Sequence, residues 1–322
     1  MRTLSRVAAQ FVLAAVALAI GFSIAVAAND YPARTVRVIV GFGPGSTADT
    51  AARAVAQKLS QKFGQQFVVE SRAGAGSNLA AEFVARAPRD GYTLLMGTVA
   101  NTINASISKL SFDFGKDLAP IAPVATVPTI LVANPSTGIR TVADLVKAAK
   151  AAREPLLFGS SGVGSALHVQ GELLNVAAGI KLTHVPYPGS AQALTDLLAG
   201  RIAVMFSPGP TVLPHIEAGK LNGVAASRAG VLTNLPSMAE AGYQGFETGI
   251  WFGMLAPAGT PREIVEKLSA GINEALKMDD VVQSLRKQGF EPLGGTPDAF
   301  ARYIKDEIAQ WARVAEAAGL RK

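Results

Sequence analysis

The chain of 322 residues contains no cysteine. That excludes disulfide staples, thiolate metal sites and a cysteine nucleophile, so the fold must rest on its packed core. Histidine is scarce too: His168, His184 and His215 have no spacing that matches a zinc motif such as HxxxH. Charged residues make up 17% of the chain, and Lys58, Lys62, Lys147, Lys150 and Lys267 stand singly on predicted helix faces. A nucleic-acid reader would cluster its cations and interleave aromatics, so these charges read as solvated surface. No GxxxxGK[ST] phosphate loop occurs, GFGPGS at 41–46 misses the third glycine of a dinucleotide fingerprint, and GSSGV at 159–163 fails the last position of a GxSxG elbow. Together these gaps argue against catalysis, and no cofactor or metal is expected.

The first residues set the compartment. Arg2 and Arg6 precede an apolar run from Phe11 to Ile20, and Ala25-Val26-Ala27 closes the segment with a small-x-small pattern. This is the order of a secretory signal peptide, residues 1–27, cleaved near Ala27 to leave an exported, periplasmic protein. No later stretch is comparably long, uncharged and free of proline; the apolar stretch Leu118–Asn134 is punctuated by prolines. The formal net charge of +6 falls to +4 once Arg2 and Arg6 are removed. With 49% hydrophobic residues the remainder can bury a large core, and its length suggests two domains or one interrupted by another.

Strand-like and helix-like segments alternate along that remainder. Thr35–Val40 is β-rich; Ala48–Phe63 carries Ala51, Ala52, Val55 and Leu59 at helical spacing; Phe67–Glu70, Leu79–Ala87 and Tyr92–Met96 continue a βαβαβ order. The pattern restarts with helix 141–151, strand 156–158, helix 165–178, strand 183–186, helix 191–198 and strand 202–206. It implies two α/β lobes, each with a doubly wound sheet whose functional loops lie at the strand C-terminal ends. Gly249–Ala256 reads as a buried strand, followed by helices over 261–276 and 296–318; Ile130–Asn134 and Gly249–Ala256 are the expected crossing segments.

Two loops concentrate the chemistry. VRVIVGFGPGSTAD at 36–49 and LLFGSSGVGSALH at 156–168 each run from a short strand through Gly, Ser and Thr directly into a helix. Such turns aim free N–H groups and hydroxyls at one point beside the positive end of a helix dipole, a clamp for a small anion. Gly45 permits the sharp turn, while Ser46, Thr47 and Asp49 stand where capping groups belong. Asp49 reads first as a capping carboxylate, and Phe42 equally as a cleft wall or a core position. In the second loop Ser160, Ser161, Gly164 and Ser165 offer amides and hydroxyls, in an ordinary capped turn or a ligand loop alike. His168, one turn into the helix, reads first as a structural histidine bonded to the loop. Three further loops are expected at strand ends: Gly97–Asn101, with Thr98 and Asn101 as polar tips, Tyr187–Ala191, and Met205–Gly209, which carries Ser207.

The blocks YPARTVRVIVGFGPGSTADTAAR, SRAGAGSNLAAEFVARAPRDGYTLLMGT, LLFGSSGVGSALHVQGELL, HVPYPGSAQALTDLLAGRIAVMF, PHIEAGKLNGVAAS, WFGMLAPAGTPREIVEKL and GGTPDAFARYIKDEIAQW resemble, in order, the Bug family. These are the TctC-like extracytoplasmic solute-binding proteins of tripartite tricarboxylate transporters. The resemblance implies a type II periplasmic binding protein fold: lobe 1 from 28–128 plus 247–322, lobe 2 from 129–246, joined by two crossing strands and closing on a ligand. It further implies a small carboxylate held by amides, hydroxyls and waters, a two-component membrane permease as partner, and a monomer. The same clamp would serve a binding protein that docks on a membrane sensor kinase. This chain departs from the family at Ser207, where an aspartate commonly follows the phenylalanine, and at Ser46, usually glycine. A carboxylate about 4 Å from a bound anion would repel it by about 4 kcal/mol at an effective dielectric of 20, so Ser207 suits a ligand with no ammonium at that end.

Overall fold

The computed structural model describes residues 31–228, 234–246 and 249–317; the expected signal peptide, 1–27, lies outside the described residues. The β-branched run Val36–Val40 forms β1 and pairs in parallel with β2 (Phe67–Ser71) and β3 (Thr93–Thr98). Between β1 and β2 runs α1 (Thr47–Phe63), begun by the Ser46 side chain accepting from Asp49 N–H and ended by left-handed Gly64. Its buried face is mostly alanine, with Val55 and Leu59, which lets it lie close on the sheet. Helix α2 (Asn78–Ala85) precedes β3, and α3 (Val99–Ile107) follows β3 without a loop. Gly97–Asn101, expected as a loop, is thus a strand end passing straight into a helix.

Strand β4 (Leu118–Val127) then leaves this sheet through Pro128 and continues as β5 (Thr129–Ala133) in a second one. The second sheet adds α4 (Val142–Ala151), β6 (Leu157–Ser160), α5 (Ala166–Ala178), β7 (Thr183–Pro186), α6 (Ser190–Leu198), β8 (Val204–Pro208), α7 (Gly209–Glu217) and β9 (Asn222–Ala226). The chain returns as β10 (Ile250–Pro257), followed by α8 (Arg262–Ala275), α9 (Asp279–Lys287), β11 (Glu291–Pro292) and α10 (Pro297–Ala317). The strand orders are β11-β4-β10-β3-β1-β2 and β7-β6-β8-β5-β9.

Two lobes of the type II binding-protein plan result. In the first sheet β10 runs antiparallel between β3 and β4; in the second, β5 runs antiparallel between β8 and β9. The segments expected to cross are therefore the strands received after each crossing, and each lies in a single sheet. The crossings themselves fall at Pro128 and between β9 and β10. They are tied together where Thr129 N–H donates to Ser227 Oγ at 3.0 Å and Ser227 N–H donates to Thr129 O at 2.8 Å.

Helix α10 is anchored on β10 by a buried carboxylate. Glu307, 3% exposed, accepts through Oε2 from Trp251 Nε1 at 3.1 Å and from Trp311 Nε1 at 3.0 Å. Burial pushes its carboxyl above the ordinary 4.5, against hydrogen bonds from Trp311, Trp251, Tyr303 and Thr102 that favour the charged form. A raised folded-state value means the group's stabilising contribution is complete below pH 4.5 and is lost as pH rises through the folded value. Glu307→Gln keeps an acceptor for the indoles and removes the charge. In urea titrations it is expected to match or exceed wild-type stability near neutral pH with a flatter pH profile, whereas Glu307→Ala loses about 3 kcal/mol by leaving buried N–H groups unpaired.

Candidate functional site

The loops at the ends of β1 and β6 come face to face. Phe42 to Ala48 from the first lobe, Ser161, Leu167, Pro188 to Gln192 and Pro208 from the second, and Phe252 of β10 enclose a cavity of 200 Å³. An adjoining cavity of 250 Å³ shares Phe42, Ser161 and Pro188 and adds Gly41, Ala73 to Gly76, Gly162, Val163 and Tyr187. Among the described residues, no lysine, arginine, histidine or carboxylate side chain lines either one. The polar surface is hydroxyl, amide and backbone; the apolar surface is ring, proline and the aliphatic side chains of Leu167, Val163 and several alanines. A larger hollow of 480 Å³, lined by Trp251, Tyr303 and Glu307 at the β4 edge, meets none of the glycine loops.

Of the residues singled out from sequence, Phe42, Gly45, Ser46, Thr47 and Ser161 line the first cavity and Tyr187 the second. Phe42 is half-buried, a cleft wall. The Tyr187 hydroxyl is engaged, donating to Asp196 Oδ2 at 2.8 Å; burial, then Asp196, push the phenol up to about 12.

The others line neither cavity, and several of them brace the loops that do. Asp49 Oδ2 accepts from Gly45 N–H at 3.1 Å and from Arg53 Nε at 2.9 Å. Burial raises its pKa, yet the Arg53 and Gly45 hydrogen bonds carry it below the ordinary carboxylate value, so it stays an anion that fixes the turn. Ser165 caps α5 by accepting from His168 N–H at 3.3 Å. Gly164 donates its N–H to His168 Nδ1 at 3.3 Å. Thr98 and Asn101 satisfy each other in a capping box at the start of α3: Asn101 Oδ1 accepts from Thr98 N–H at 3.0 Å, and Thr98 Oγ1 from Ala100 N–H at 3.2 Å. Ser207 is fully buried at the end of β8, next to Pro208 of the lining.

Ser160 shows what a sequence motif search misses. Its Oγ lies 2.6 Å from His184 Nε2 and accepts Gly162 N–H at 3.1 Å. His184 is packed between the rings of Phe158 and His168, at centroid distances of 4.9 and 4.1 Å. Burial, then the adjacent His168, pull its pKa down to about 4. No carboxylate is hydrogen-bonded to His184 among the described residues, and Ser160 is 0% exposed. A weak base with no orienting acid, beside an inaccessible hydroxyl, lacks what activates a serine nucleophile. The pair braces the loop.

Other residues of the site were not singled out. The 73–77 segment enters from the first lobe with Ala75 at φ 48° and Ser77 at φ 77°, left-handed conformations unusual for residues with a Cβ and concentrated at functional loops. Leu167, Gln192, Pro208 and Phe252 complete the lining. Buried polar atoms without a protein partner include Ser77 Oγ, Asn101 Nδ2, Gln170 Oε1 and Ser207 Oγ, all on segments that carry or adjoin these loops. The double Gly-Ser pattern and the strand end at Tyr187 were visible in the sequence; residues that approach from distant strands leave no local signal.

This architecture recurs in known proteins. A family model described as "Tripartite tricarboxylate transporter family receptor" (TctC) matches residues 51–320. BugT of Bordetella pertussis is 36% identical over 305 residues, covering 93% of this chain and 94% of BugT. The solved structure of R. palustris Rpa4515 with adipate is 38% identical with a TM-score of 0.83, covering 90% of this chain and 98% of that one. MatC (Rpa3494) from Rhodopseudomonas palustris with bound malate is 31% identical with a TM-score of 0.81, covering 88% and 99%. With its two lobes, its facing glycine loops and these relatives over nearly all of its described length, the chain belongs to the tripartite tricarboxylate transporter receptor family, the TctC or Bug group of periplasmic solute-binding proteins.

Proposed function

We propose that the protein captures a small carboxylate in the periplasm by lobe closure and delivers it to a two-component membrane permease of the tripartite tricarboxylate type. The observation that carries this reading is the cavity of 200 Å³ between facing strand-to-helix loops of opposite lobes, lined without a charged side chain. An anion there is matched by backbone N–H groups and hydroxyls at the starts of α1 and α5, where the peptide dipoles add positive potential. The cavity is below the roughly 300–1,000 Å³ of sites for drug-sized ligands, a size for a small metabolite. Phe42, Leu167, Phe252 and the prolines offer an apolar wall to a methylene body. Adipate and malate in two relatives support a dicarboxylate. The output is binding, not turnover: the braced Ser160–His184 pair leaves the cavity without an activated nucleophile. The moving bodies are 28–128 with 247–322 against 129–246, working as a monomer, and residues 1–27 direct export.

The reading is tested by calorimetry and thermal shift on the mature protein from Ala28 onward. Adipate and related diacids are expected to bind; at 100 times its dissociation constant a ligand adds about 2.7 kcal/mol. Adipamide is expected to leave the melting temperature unmoved, and equal binding of diamide and diacid would overturn the anion clamp.

Charge at the end of β8 gives a second test. Ser207→Asp places a carboxylate beside the cavity lining, where repulsion of about 2 kcal/mol at ~8 Å and an effective dielectric of 20 lowers diacid affinity at least tenfold. Ser207→Ala is expected to bind adipate as the wild type does. For the wild type, diacids carrying an α-ammonium should bind more weakly than their plain counterparts, and a preference for the amino acids would sink the assignment of Ser207.

A further inference from the structure

A direct hydrogen bond bridges the two lobes beside the cavities. Asn104, 3% exposed on α3 of the first lobe, donates through Nδ2 to Gly164 O of the second at 2.9 Å. The same Nδ2 donates to Ala100 O at 2.7 Å, while Oδ1 accepts from Ser108 Oγ at 3.2 Å. With two carbonyls on one side and a hydroxyl on the other, the amide is fixed so that a donor faces Gly164. Glycines from both lobes make room for it. A Cβ on Gly164 (φ 76°) would lie 2.4 Å from Asn104 Oδ1, and one on Gly76 (φ 60°) 2.8 Å from Nδ2. From behind, His168 Nδ1 accepts the Gly164 N–H at 3.3 Å, so the acceptor carbonyl is held in place by its own lobe.

We infer that Asn104 is the closure latch of the cleft, a residue that lines neither loop cavity yet holds the lobes together through Gly164. The inference rests on the capture function proposed above. A bond that exists only when the lobes meet stabilises the closed form alone, so it shifts the open–closed equilibrium and acts on solute release more than on solute entry. Asn104 is a positioning residue: its effect reaches the solute through the geometry of closure.

The absence of cysteine makes the test clean. Val68→Cys on β2 and Val176→Cys on α5, 42% and 46% exposed, place one spin label on each lobe with no background thiol. Asn104→Asp keeps an oxygen for Ser108 and turns an acceptor toward the Gly164 carbonyl. Gly164→Ala leaves Asn104 intact and wedges the contact. Both variants are expected to shift the label separation to longer values, with and without adipate, and to raise the adipate dissociation rate about tenfold, a loss on the scale of a buried hydrogen bond, while the association rate stays within about twofold. A purely structural Asn104 would instead lower the solute-free melting temperature and leave separation and release unchanged; that result in both variants overturns the latch even where adipate binds. Failure of the wild type to bind adipate or any other carboxylate would instead overturn the capture reading, and the solute-free separations would then decide the latch by themselves.

Discussion

An anion held without a cationic side chain has to be held by the main chain, and main-chain N–H groups converge only where the turn that carries them cannot relax. Under the capture function proposed above, that constraint organises this cleft. Each lining loop is braced from behind by groups that never reach the cavity: Asp49 on Gly45 in the first lobe, Ser160 with His184 and His168 with Gly164 in the second. The charged members of this scaffold remain outside the lining. Asp49 keeps its charge because Arg53 and the Gly45 amide share it, and His184 is kept neutral by burial and by its neighbour. The lining thereby presents hydroxyls and backbone with no fixed charge that would select ligands by net charge alone.

Much of this was readable in the amino-acid order because its causes are local. The Ser46 cap, the apolar spacing of Ala51 to Leu59 and the Gly64 stop delimit α1 within a residue of the expected span. The second loop was legible for the same reason, with Ser165 as the cap of α5. What could not be read depends on partners far along the chain. Ser160 and His184 are 24 residues apart, and Asn104 and Gly164 are 60 apart; no periodicity announces such meetings. Thr98 and Asn101 illustrate the converse. Their polar groups looked available as loop tips, but at three-residue spacing they satisfy each other in a capping box, leaving only Asn101 Nδ2 without a protein partner.

Relatives over nearly the whole described length show the receptor family and its two-lobed plan. Under the proposed function, the choice among carboxylates depends on features of this chain: Ser207 buried beside Pro208, Phe42 and Phe252 in the lining, and the lack of side-chain charge there. Neutral, partly apolar walls tolerate variation in the body of a ligand more readily than in its anionic end, because an unpaired donor in a dry cleft costs more than a small gap against a ring.

The antiparallel strands have a consequence for the order in which the polypeptide matures. Strands β3 and β4 do not pair with each other; β10 fills the space between them, and it emerges only after the whole second sheet has been made. The second sheet is complete once Ala226 has appeared, whereas the first waits with two unpaired interior edges until Pro257 arrives. A chain delivered amino-terminus first across a membrane would therefore finish its second lobe before its first, and would carry an open, adhesive β edge for the interval.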